Sequence, residues 1–118
     1  MTTNIEIIKL TKFLNRCFLA ANVSKKNAAI ISKHLIEAEM RGIYSHGLNR
    51  LSWYLNLFQT GELKSDAIPN IKKLSGNTIT VDGDGGIGII AMDTAVSQLI
   101  KMTSKNLISM AGITNCGH

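Results

Sequence analysis

Apolar residues at Ile7, Leu10, Leu14, Cys17, Phe18 and Ala21 keep the three-to-four-residue spacing of one buried stripe, and predict a helix from Ile5 to about Ala21. Asn22-Val23-Ser24 breaks that pattern. Ser24 suits an N-cap, its hydroxyl accepting from an otherwise unpaired backbone N–H, so a second helix is expected from there to about Arg41 with Ala28, Ile31, Leu35 and Ala38 inward. Gly42 fits the left-handed position that ends a helix. A short connection, Gly42 to Gly47, leads to a third helix from about Leu48, with Leu48, Leu51, Leu55 and Phe58 on one face and Gly61 as its stop.

The pattern changes after Pro69, the single proline. Ile71–Leu74 and Thr78–Val81 are short β-prone runs separated by Ser75-Gly76-Asn77, which has hairpin-turn chemistry. A glycine-rich segment follows, Asp82 to Gly88. A helix is then expected from about Ile89 to Ser104, burying Ile89, Met92, Val96 and Leu99, and a strand from Leu107 to Thr114. Three helices, a hairpin, a helix and a strand make an α+β chain: a helical subdomain over 1–62, and over 63–118 the start of a mixed-sheet domain, incomplete because so few strands leave edges unpaired.

Composition narrows the classes. Of 118 residues, 45% are hydrophobic and 18% charged, ordinary for a globular chain and unlike a disordered one. The longest apolar run, Ile87 to Met92, is far too short for a membrane span, and Glu6 and Lys9 interrupt the N-terminal apolar stretch where a signal peptide would have none. The expected compartment is the cytoplasm. The two cysteines, Cys17 and Cys116, show neither disulfide nor zinc spacing and read as reduced thiols. A net charge of +5 raises nucleic-acid binding, but the lysines are scattered, only Lys25-Lys26 and Lys72-Lys73 are adjacent, and aromatic residues are not interleaved with them. No nucleic-acid partner is expected.

Gly83-Asp84-Gly85-Gly86-Ile87-Gly88 satisfies G-x-G-x-x-G between a predicted strand and a predicted helix, the setting of a dinucleotide-binding turn. Against that, Asp84 would repel phosphate, no acidic residue follows Asp93 to hold a ribose, and a hairpin ahead of the loop is not a βαβ start. The glycines therefore read as structural. His46 lies on the glycine-flanked connection, where an imidazole suits proton exchange, and Arg50 lies four residues on, where a guanidinium suits a carboxylate. On spacing alone both also read as surface residues. His118, behind an apolar strand, stands where strand ends carry sites, though a terminal residue is often uninformative. His34, mid-helix, reads as structural. With three histidines and no carboxylate cluster at ligand spacing, no metal site is expected.

Taken together, Ala38-Glu39-Met40-Arg41-Gly42-Ile43-Tyr44-Ser45-His46-Gly47-Leu48-Asn49-Arg50 resembles the A-x-x-R-G-I-x-S-H-G-x-x-R stretch of the malate/L-lactate dehydrogenase family, the type without a Rossmann fold. Ureidoglycolate, sulfolactate and 2,3-diketogulonate oxidoreductases belong to it. The resemblance continues through Gly61, Pro69, Val81-Asp82-Gly83 and Gly88 to Gly112-Ile113-Thr114-Asn115-Cys116-Gly117-His118, similar to the family's strand leading to an active-site histidine; Cys116-Gly117 stands where relatives often have Ser-Asn. It implies hydride transfer between NAD or NADP and a small 2-hydroxy acid or 2-oxo acid. His118 would be the acid/base, His46 the proton donor or a substrate contact, and Arg50 the grip on the substrate carboxylate. It also implies a homodimer, and a cofactor held mostly by segments outside this chain, because the family's chains are much longer. The 118 residues would then be an N-terminal fragment inactive alone; the alternative is a complete, non-catalytic binding or assembly module derived from the family.

Overall fold

A computed structural model describes residues 4–117. It is α+β, with four α-helices and a three-stranded mixed sheet. Internal contacts divide the chain into two units, Met1–Ser65 and Asp66–His118.

The first unit is helical. α1 (Ile7–Ala20) packs on α2 (Lys25–Met40), and Leu14, Phe18, Ile31 and Leu35 are wholly buried. Withdrawing such side chains from water stabilises by about 1.5–3 kcal/mol each. The Ser24 hydroxyl caps α2 as expected, accepting from the Asn27 N–H at 3.2 Å. Gly42, at φ +73°, ends that helix: its N–H bonds the Glu39 carbonyl at 3.0 Å and the Ile43 N–H bonds that of Ala38 at 2.9 Å. This pairing satisfies carbonyls left open by the last turn and folds the chain back along the helix. The third helix begins later than its apolar spacing suggests. Tyr44–His46 and Leu48–Arg50 are 3₁₀ turns, and α3 proper runs from Leu51 to Thr60, because the backbone of Gly47 (φ −94°, ψ −140°) interrupts helical geometry between them. Its most buried residue is Tyr54; Leu51, Leu55 and Phe58 are half-buried.

In the second unit, β1 (Asn70–Lys73) pairs antiparallel with β2 (Thr78–Ile87), Ile71 opposite Val81, so the expected hairpin forms. Beyond Val81, β2 runs on through the glycine-rich segment with an irregularity between Asp82 and Gly86. α4 (Gly88–Thr103) then crosses to β3 (Met110–Gly117), which lies parallel to β2 with Val81 opposite Ile113 and Ile87 opposite Gly117. Strand, helix and strand are therefore a βαβ crossover, contrary to the expectation from chain order. β3 starts three residues later than its apolar run and ends three later, Leu107 and Ile108 being exposed. The buried face of α4 also differs. Ala91, Ala95 and Met102 pack with Ile79 and Val81, whereas Met92 and Val96 are 54% and 44% exposed. Small alanines let the helix lie close on the sheet, and apolar spacing by itself could not distinguish that face from the bulkier one beside it.

Candidate functional site

The connection Gly42–Gly47 and the turn after it are braced by local bonds. The Glu39 carboxylate, on the last turn of α2, accepts from the Leu48 N–H at 2.9 Å and so supplies the cap that Leu48–Arg50 otherwise lacks. Gly47 is buried against the same residue. A Cβ there would run into the Glu39 carboxylate and lie 3.1 Å from its backbone nitrogen. The glycine serves close approach, the one thing a side chain would forbid.

His46 is exposed, its Nδ1 3.0 Å from the Ser45 hydroxyl, a contact that orients the ring. Arg50 is half-buried; its Nε donates to the Ser45 carbonyl at 2.7 Å, and its guanidinium carbon stands 4.8 Å from the centre of the Trp53 ring. A carbonyl and an aromatic face thus fix the plane of the cation. The two terminal amino groups make no hydrogen bond to any described residue. Next to it, burial pushes the Tyr54 phenol above its ordinary pKa, and the positive charge of Arg50 pulls partly the other way. The structure therefore brings Ser45, His46 and Arg50 into one bonded turn. His118 lies outside the described residues. His34 and Arg41 line a pocket with His46, a neighbourhood the sequence did not disclose.

The glycine-rich segment has a different job. A Cβ on Gly83 would stand 2.6 Å from that of Cys116 and 2.9 Å from the Asn115 carbonyl oxygen, and one on Gly88 would stand 2.8 Å from the Gly117 carbonyl oxygen. Gly83 is consumed by the approach of β2 to β3, and Gly88 by the approach of the first turn of α4 to the end of β3. Asp84, at φ +55°, spends a carboxylate oxygen on the Ile68 N–H at 3.0 Å. Asp82 accepts from the Asp84 N–H and from the Asn115 side-chain amide, each at 2.8 Å; these two donors hold its carboxyl below the usual range. Loaded with carboxylates and filled by its neighbour strand, this turn does not fit a cofactor's pyrophosphate. Among the described residues no group of three or more histidine, cysteine or carboxylate side chains could hold a metal ion.

The family model described as malate/L-lactate dehydrogenase matches residues 5–118. Hydroxycarboxylate dehydrogenase B of Escherichia coli O157:H7 is 27% identical over 109 residues, 92% of this chain and 30% of that protein. The Δ1-pyrroline-2-carboxylate reductase of Ancylobacter novellus is 28% identical over 100 residues, 85% of this chain and 29% of its own length. Among solved structures, malate dehydrogenase from Entamoeba histolytica superposes with a TM-score of 0.93 at 25% identity, over 100% of this chain and 33% of that one. The chain thus spans about 30% of the length of the relatives it matches.

Proposed function

The chain belongs to the malate/L-lactate dehydrogenase family, and from that premise we propose that it supplies the substrate-carboxylate grip and the proton-exchanging groups of an oxidoreductase. The reaction converts a small 2-hydroxy acid to its 2-oxo acid and back. The observation that carries this reading is Arg50: braced through Nε and the Trp53 ring, it keeps its terminal amino groups for a planar anion. A carboxylate taken end-on by those two groups would be oriented as well as charge-balanced.

Oxidation removes a hydride from C2 and a proton from the hydroxyl. NAD or NADP, which would be held mainly by segments outside this chain, would supply the nicotinamide that accepts the hydride. The proton passes to an imidazole, a group whose ordinary pKa near neutrality suits reversible transfer. His118 takes that role by its match to the family's active-site histidine, and His46, oriented by Ser45, supplies the proton in reduction or contacts the substrate. The two free thiols accord with a cytoplasmic location, and the family resemblance carries homodimeric assembly with it. No described helix is long and apolar enough to cross a membrane.

The test is a chimera in which this chain replaces the matching segment of hydroxycarboxylate dehydrogenase B. Oxidation of NADH or NADPH is followed with a panel of 2-oxo acids and a cyclic imino acid. Turnover lost on His118→Ala supports the reading. A folded chimera that binds cofactor and never turns over would instead mark the chain as a non-catalytic module.

A further inference from the structure

A pocket of about 350 Å³ opens where α2 meets the connection behind it, lined by His34, Glu37, Ala38, Arg41, Ile43 and His46. That volume lies in the range of small-molecule sites. Its shape follows from the sequence. Positions 34 and 38 on α2 and Arg41 at its C-terminal cap follow one helical face, and the turn at Gly42 folds Ile43 and His46 back against that face through the Ile43-to-Ala38 and His46-to-Ile43 backbone bonds. Buried Ala38 makes an apolar floor, and Ile43, 48% exposed, an apolar wall.

The charges around it are unevenly spent. Glu37, the one carboxylate of the lining, lies 3.8 Å from the Lys33 ammonium. Arg41 makes no ion pair and no side-chain hydrogen bond to any described residue. A guanidinium without a counter-ion therefore stands beside two imidazoles over an apolar floor.

We propose that this pocket binds a short-chain monocarboxylate, with its hydrocarbon body on Ala38 and Ile43 and its carboxylate on Arg41 and the imidazoles of His34 and His46. The site is distinct from the grip at Arg50, does not depend on the catalytic reading, and shares only the His46 residue with it.

The test uses the 118-residue chain and nuclear magnetic resonance, titrating formate, butyrate and inorganic phosphate at constant ionic strength. Butyrate is expected to shift the Arg41 and Ile43 amides and the His34 ring signals saturably, at least fivefold more tightly than formate or phosphate. Arg41→Gln should weaken butyrate binding at least tenfold, and Lys25→Gln should leave it unchanged. The Trp53 indole, lying under Arg50, reports the other site separately. Shifts that track anion concentration without saturating would overturn the proposal, as would phosphate binding as tightly as butyrate, or saturable shifts confined to Trp53.

Discussion

The carboxylate of Glu39 accepts the backbone N–H of Leu48 across nine residues, tying the end of α2 to the turn that carries Arg50. A partly buried, charge-assisted bond of this kind stabilises by roughly 1.5–3 kcal/mol. Glu39→Ala should therefore lower the midpoint of urea unfolding, read by the single tryptophan Trp53, by an amount equivalent to about 1–2 kcal/mol with an unchanged slope. Gly47→Ala should cost about as much or more, since its Cβ meets both the carboxylate and the backbone of Glu39. If either variant unfolds like the wild type, the tie is not what holds the turn.

The closeness of Arg50 to the Tyr54 phenol gives a spectroscopic handle. Positive charge favours the phenolate, so Arg50→Gln should move the Tyr54 ionisation to higher pH than in the parent, where burial already holds it above 10.0. Ultraviolet titration in a Tyr44→Phe background isolates the signal. A shift to lower pH would contradict the placement of the guanidinium.

Asp82 links acidity to the sheet. Its two donors hold the folded carboxyl below the ordinary 3.8, so as pH falls the unfolded chain takes up its proton first. The stabilising contribution is fully present above that ordinary value and is lost as pH drops through the lower folded one. Amide exchange at Asp84 should accelerate as pH is lowered below about 3.8, beyond the intrinsic acid dependence, and Asp82→Asn should flatten that response.

Gly83→Ala tests the role given to the glycine-rich segment. A Cβ 2.6 Å from that of Cys116 forces β2 and β3 apart, at a cost of about 1–3 kcal/mol. Calorimetry should show a lower melting temperature. An unchanged one would reopen the segment as a ligand-binding turn.

Much of this was legible in the residues. Ser24 and Gly42 marked the ends of α2 because capping is local chemistry, read within a few positions. The turn around His46 and Arg50 stood out through its glycines and its resemblance to the family stretch. Glu39 did not, because a carboxylate reaching nine residues forward has no short-range signature. Nor did the pocket of His34 and Arg41, formed only when the chain doubles back. The inward face of α4 was misread for a related reason: Ala91 and Ala95 are chosen by the closeness of the sheet, which periodicity does not encode.

The most direct measurement of the central claim is the steady-state kinetics of Arg50→Gln in the chimera with hydroxycarboxylate dehydrogenase B. If Arg50 holds the substrate carboxylate, kcat/KM for 2-oxo acids falls roughly 10²–10³-fold, which corresponds to about 2.7–4 kcal/mol of lost transition-state binding, and cofactor affinity is unchanged. A variant with kcat/KM within threefold of the parent would show that the carboxylate is held elsewhere.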